Sequence, residues 1–353
     1  MSKANPGHFF EDFRLGQTLS HATPRTITAG DVALYIGLTG TRHVLHCAVP
    51  VAQAVGFRDA PVDNLLAFHI AFGKTVPDVS LNAVANLGYA DVRFLRPVYV
   101  GDTLFVESDV IGLKENSNGK SGIVYVHSRA YNQDDHEVLS WKRWVMVHKR
   151  DAERPTAADS VPELPAFVSP EHLPVPEGVD FSRFDSRWTG GQYRFDDYPI
   201  GERINHPDGL TVDDSDHTLA TKLYQNNAKV HFDQYQMANS PHGRRLMYGG
   251  HVISVCRALA YNGLENAVLI AAINAGTHAN PSYGGDTFFA CHEVLQRWDI
   301  PGRRDLGAVR LRLIGLKNLR PEELPATHIE EQGKRRYHPN VVLDLDYTVL
   351  MPR

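Results

Sequence analysis

Phe10-Glu11-Asp12-Phe13, with Leu15-Gly16 close behind, returns 185 residues later as Phe195-Asp196-Asp197-Tyr198 with Ile200-Gly201. The same offset lays His21 on His206, Thr26 on Thr211, Thr28 on Asp213, Asp31 on Asp216 and His46 on His231. Further on, Gly101-Asp102-Thr103 meets Gly285-Asp286-Thr287 at an offset of 184, so one residue has been lost between the two blocks. Agreement held over about ninety positions marks one fold duplicated, and whatever architecture one half adopts the other must adopt too. In a chain of 353 residues each copy has the length of an ordinary domain.

Between the copies, roughly Arg154 to Gly178, the chain is rich in proline and poor in apolar periodicity, which reads as a semi-extended connector. The expected organisation is a first copy over residues 1–160, a linker over 161–182 and a second copy over 183–353. Each copy opens with a short strand and turn, then a capped helical segment: Ala29 to Leu38, and Ser215 to Tyr224. An irregular stretch ending in a histidine leads to a longer apolar helix around Leu65 to Phe72 and around Val252 to Ala260, apolar enough to be buried on most sides. The remainder alternates as strands: Asp91–Val98, Thr103–Ile111, Gly122–Ala130 and Leu139–His148, then Ala271–His278, Asp286–Leu295, Gly307–Leu316 and Val341–Met351. One buried helix against several long antiparallel strands predicts an α+β fold, a sheet wrapped around a helix, present twice.

Composition removes several functions. Lys and Arg total 36 against 41 Asp and Glu, a net charge of −5, which does not supply the basic surface that nucleic acid or an anionic membrane requires. Three cysteines (Cys47, Cys256, Cys291), none in CxxC spacing, argue against a disulfide scaffold and a cysteine-rich zinc site. The N-terminus carries no apolar run of signal-peptide type, and the most apolar stretch, His251 to Ala275, is interrupted by Arg257, Asn262, Glu265 and Asn266. A cytoplasmic protein with no membrane segment is expected. Neither a P-loop nor a GxGxxG turn opening a helix is present, so nucleotide hydrolysis and dinucleotide redox chemistry lack support.

Tyr35-Ile36-Gly37-Leu38-Thr39-Gly40-Thr41-Arg42-His43-Val44-Leu45-His46 resembles the S/T-G-D-x-N-P-x-H-x-D motif of the MaoC-like, or hydratase-2, acyl-CoA hydratases. Phe94-Leu95-Arg96-Pro97-Val98-Tyr99-Val100-Gly101-Asp102-Thr103-Leu104 resembles that family's F-x-x-P-V-x-x-G-D-T-L strand and turn. More narrowly, Asn82 to Tyr89 and Gly112 to Gly119 are similar to segments of the double hot-dog mesaconyl-CoA hydratases, also called β-methylmalyl-CoA dehydratases. The resemblance implies a tandem hot-dog and the reversible addition of water to a 2-enoyl-CoA, mesaconyl-CoA and β-methylmalyl-CoA being the expected pair. It implies an acyl-CoA substrate, a homodimer, and no metal or redox cofactor, coenzyme A being part of the substrate. A hot-dog thioesterase and a non-catalytic acyl-CoA-binding protein are the alternatives.

Such a hydration needs a group to handle the proton of water and donors to hold the thioester oxygen as charge builds on it. The resemblance implies a histidine with an aspartate five residues earlier for the first task, and an amide at the start of the buried helix for the second. In the second copy His231 holds the histidine place, Asn226 the aspartate place, and Gly249-Gly250 open the helix, with Gly249 at the oxyanion position. In the first copy His46 is present, but Thr41 replaces the aspartate and Val62-Asp63-Asn64 brings no glycine. The second copy is therefore the expected catalytic one, and the first a degenerate copy that shapes the cleft. Asn226 can orient water but cannot take a proton, so Asp233 is the other candidate partner for His231. Arg244 and Arg245, with Gly250 and His46, are the candidate substrate contacts, since an arginine fork suits phosphate or carboxylate. His69 and His148, among eighteen histidines, are given no role.

Overall fold

The structure is a computed structural model that describes residues 3–154 and 158–353. Residues 155–157 of the proline-rich connector, and 1–2 of the first copy, lie outside the described residues.

The first copy contains β1 (Thr18–Thr26), α1 (Ala29–Thr39), α2 (Val44–Cys47), α3 (Val49–Ala54) and α4 (Asn64–Thr75), followed by β2 (Ala83–Phe94), β3 (Thr103–Glu115), β4 (Ser121–Tyr131) and β5 (Glu137–His148). The second has β6 (Arg203–Asn205), β7 (Leu210–Thr211), α5 (Asp214–Leu223), α6 (Lys229–Phe232), α7 (Gln234–Met237), α8 (Gly249–Leu259), β8 (Leu269–His278), β9 (Thr287–Asp299) and β10 (Leu306–Lys317). A two-stranded hairpin, β11 (His328–Glu331) and β12 (Lys334–Tyr337), precedes the last long strand, β13 (Val341–Pro352). Helix and strand follow one order in both copies, and the hairpin is an insertion in the second.

All the strands except the hairpin form one antiparallel sheet in the order β1-β3-β4-β5-β2-β8-β13-β10-β9-β6, with β7 also on β9. The two halves meet where β2 pairs with β8, Tyr89 opposite Gly276 and Arg93 opposite Ala272. The order reads alike outward from that seam. Helices α4 and α8 lie side by side in the hollow of the sheet, joined by His69 Nε2 and Ser254 Oγ at 2.9 Å, two residues that occupy the same place in the repeat. Their apolar surroundings form one cluster drawn from both copies, with Leu66, Phe68, Ile253 and Val255 at its centre. The predicted α+β double hot-dog is therefore the fold, its halves fused through one sheet and one core.

The repeated Phe-acid-Asp signature has a packing cause. The Phe10 ring lies on Gly122 of β4 and the Phe195 ring on Gly307 of β10, so close that a Cβ at either glycine would come within 2.4 Å of the ring. Asp12 and Asp197 accept the backbone amides of Phe9 and Arg194 and hold each ring's short turn in place. Burying each ring stabilises the fold by about 2 kcal/mol and ties the start of its copy to the sheet. Strand β2 differs from the expected Asp91–Val98: it starts at Ala83 and stops at Phe94. Pro97 cannot donate to a ladder, and the mixed stretch from Ala83 to Gly88 extends along β5 without the apolar alternation that announces a strand.

Candidate active site

A cavity of about 590 Å³ opens between the copies, walled by α4, β2 and β5 of the first and by α6, the start of α8 and the end of β8 of the second. Its mouth includes the exposed Lys229, Gln236 and His242, and it runs inward to the buried Phe72, Tyr89 and Tyr248.

His231 lies in this wall on α6. Its Nδ1 is 2.9 Å from the carbonyl of Leu246, and because a carbonyl only accepts, Nδ1 carries the proton and Nε2 keeps the lone pair. The Leu246 amide donates in return to the Val230 carbonyl at 2.9 Å, so α6 and the strip before α8 are clamped at two points. Burial pushes the imidazole down to about 4, slightly offset by the Leu246 carbonyl, and the ring is neutral at neutral pH with a base available at Nε2.

The strip from Leu246 to Tyr248 is fixed by two more bonds. The Met247 amide donates to the Ser282 carbonyl at 2.8 Å, and the Tyr248 amide to Nε2 of His217 at 2.9 Å. Gly249 and Gly250 then open α8, where backbone amides have no intrahelical acceptor and the positive end of the helix dipole is exposed. Gly249 borders the cavity; the Tyr248 ring covers Gly250, at which a Cβ would meet ring atoms at 2.4–2.6 Å. The His231 and Tyr248 ring centroids are 5.5 Å apart, which places the basic nitrogen and the helix start on one wall.

His278, at the end of β8, was not singled out in the sequence. Its ring lies against Gly249, its Nε2 is 3.1 Å from the Tyr89 hydroxyl across the seam, and its Nδ1 is buried without a hydrogen-bond partner. Burial and then the neighbouring His231 push it down to about 4. The repeat carried the signal: at the offset of 184, Phe94 stands in the first copy where His278 stands in the second. Arg143 is a second residue outside the expected set: β5 alternates and puts an arginine in the same inward row as Leu139, Trp141 and Val145.

Of the predicted site residues, the cavity brings together His231, Asn226 and Gly249. Asn226 is buried and its side-chain oxygen accepts the Ala228 amide at 3.2 Å, turning the chain into α6. The other five are corrected. Asp233 caps α7 through the Gln236 amide at 3.0 Å and does not pair with His231, whose Nδ1 is already held by Leu246. Arg244 donates to the Gly284 carbonyl and lies over the Tyr283 ring, while Arg245 donates to Thr218 Oγ1; both stand near Asp214 and outside the cavity wall. Gly250 is behind Tyr248. His46 repeats the His231 geometry, Nδ1 to the Pro61 carbonyl at 2.9 Å, but in a separate cavity of about 20 Å³. There Asn64 takes the Gly249 place, Phe94 the His278 place, and Pro174 and Pro176 of the linker form part of the wall.

The family model for mesaconyl-CoA hydratase matches residues 2–322. The chain belongs to the mesaconyl-CoA hydratase family. It is 53% identical over 352 residues to the β-methylmalyl-CoA dehydratase of Chloroflexus aurantiacus, covering 100% of this chain and 99% of that one. To the mesaconyl-CoA hydratase of Cereibacter sphaeroides it is 54% identical over 353 residues, covering 99% and 100%. The crystal structure of a MaoC-domain dehydratase from Chloroflexus aurantiacus superposes with a TM-score of 0.96 at 53% identity, over 100% of this chain and 99% of that one. A double hot-dog protein of Mycobacterium tuberculosis shares the fold, with a TM-score of 0.76 at 23% identity over 98% and 99%. Membership of the mesaconyl-CoA hydratase family makes the chain a hydro-lyase of the acyl-CoA hydratase type. Among its described residues no helix is long and apolar enough to cross a membrane.

Proposed function

We propose that the protein interconverts mesaconyl-CoA and β-methylmalyl-CoA, with the chemistry in the second copy. The observation that carries this reading is the shared wall of His231 Nε2 and the Gly249 amide in a cavity of about 590 Å³. Water loses a proton to Nε2 while its oxygen bonds to the alkene carbon β to the thioester. The π electrons shift toward the thioester oxygen, which the Gly249 amide holds. As the charge returns, a C–H bond forms at the α carbon with the proton from the His231 imidazolium, and the ring ends as it began. One such amide donor contributes roughly 3–4 kcal/mol in the transition state. His278 walls the thioester site and Asn226 borders the water. Coenzyme A enters as part of the substrate, and no other cofactor is required; the protein acts as a homodimer.

No Asp or Glu is among the described residues lining the cavity. A thioesterase would need a carboxylate there to activate water at the carbonyl carbon, so hydration is favoured over hydrolysis. Purified protein should consume the enoyl absorbance of mesaconyl-CoA, and the ester should gain the mass of one water without releasing free thiol. Thiol release, or an unchanged ester, contradicts the reading.

A further inference from the structure

Arg143 is an arginine buried without an acid. Only 1% of its surface is exposed, and its ring-facing neighbours are Phe72, whose centroid is 4.2 Å from the guanidinium carbon, with Tyr89 and Tyr248 nearby. Nη2 donates to Thr75 Oγ1 at 2.8 Å and to Ser80 Oγ at 3.4 Å, while Nε and Nη1 have no partner. Arg257 is also buried with unpaired donors, but Arg143 alone among the described arginines borders the large cavity. Burial pushes it down to about 10, so it stays charged at neutral pH. A buried cation with unpaired donors is costly unless an anion arrives to meet it, and a carboxylate oxygen can accept from Nη1, beside the Nη2 that Thr75 and Ser80 hold.

We infer that Arg143 is the anchor for the free carboxylate of the acyl group, contributed by the first copy across the seam from the proton-handling wall. The inference rests on the proposed hydration of a dicarboxylic acid monothioester and names the residue that selects it. The carboxylate of mesaconyl-CoA sits on the carbon that receives the hydroxyl, so seating it on Arg143 also sets that carbon in the cavity. The absence of Asp and Glu from the described lining leaves the guanidinium free for a substrate anion. Thr75 and Ser80 hold Nη2 and so fix the plane of the guanidinium. A site built to pair a charged group rejects an analogue lacking it far more strongly than an apolar pocket rejects a size change.

The test compares mesaconyl-CoA with (E)-2-methylcrotonyl-CoA, in which a methyl replaces the carboxylate, on wild type and Arg143→Gln. The variant should lose about a hundredfold or more in kcat/KM for mesaconyl-CoA and change less than about threefold for the neutral ester, collapsing the preference. Equal losses on both esters would make Arg143 a structural brace, and unchanged mesaconyl-CoA kinetics would remove it from the site. The methyl ester of mesaconyl-CoA gives a second arm that needs no variant: with wild type it should also lose about a hundredfold or more. Wild type that hydrates the methyl ester as well as mesaconyl-CoA overturns the anchor and leaves the hydratase reading intact, whereas wild type inert toward mesaconyl-CoA overturns the hydratase reading itself.

Discussion

The imidazole of His278 lies over Gly249 so closely that a methyl group there would come within 2.4 Å of its ring atoms. The helix that starts at the cavity can begin there only because its first residue has no side chain, and a ring from the sheet fills the space left. In the first copy the same two places hold Asn64 and Phe94, and the cavity there shrinks to about 20 Å³.

Gly249→Ala should therefore lower hydration by at least about a hundredfold, since the new methyl displaces either His278 or the helix start. It should also cost stability, and the cost should be smaller in a His278→Ala background, where the space is open. A double-mutant cycle in denaturant midpoints measures the coupling. Strictly additive effects would show that the two residues do not share that space.

How much of this was legible follows from where each signal lies in the chain. The order of elements follows from the duplication, because a repeat is visible residue by residue, and the family resemblance pointed to His231 and Gly249. His278 and Arg143 were harder. One ends a strand that reads as apolar and turn-bound, and the other is the single charge in an otherwise apolar inward row of an alternating strand. Asp233 illustrates the opposite error: two residues from a histidine looks like a partner, but a one-turn helix interposes a cap. Arg244 and Arg245 precede the glycines by only a few residues, yet the chain turns between them, and Asp214 and Thr218 of α5 draw them outward.

Asp233→Ala should behave as a lost cap. The expected cost is about 1 kcal/mol in stability, with turnover of mesaconyl-CoA within about threefold of wild type. Urea unfolding and steady-state rates check both, and a loss of turnover of a hundredfold or more would restore Asp233 as a partner of His231.

Acid should destabilise the protein earlier than its carboxylates alone require. His231, His278 and His206 are each held down to about 4 by burial, against an unfolded value of 6.5. The unfolded chain therefore takes up these protons first, so stability is flat above pH 6.5 and falls as pH drops from 6.5 toward 4. At pH 5 each ring accounts for about 2 kcal/mol. Denaturant midpoints between pH 8 and 5 measure the slope, and His278→Phe should make it shallower. A slope that His278→Phe leaves unchanged would place the proton uptake on other groups.

The two histidines that repeat one another offer the sharpest comparison. His46 and His231 make the same Nδ1 bond to a carbonyl at 2.9 Å, but only His231 faces the large cavity. Turnover of mesaconyl-CoA by His231→Ala and by His46→Ala, each with its unfolding midpoint, separates chemistry from scaffolding. His231→Ala should lose at least about a hundredfold in kcat with its fold retained, and His46→Ala should stay within about threefold of wild type. A folded His231→Ala protein that turns over at the wild-type rate, or a His46→Ala protein that is the inactive one, would contradict the placement of the reaction in the second copy.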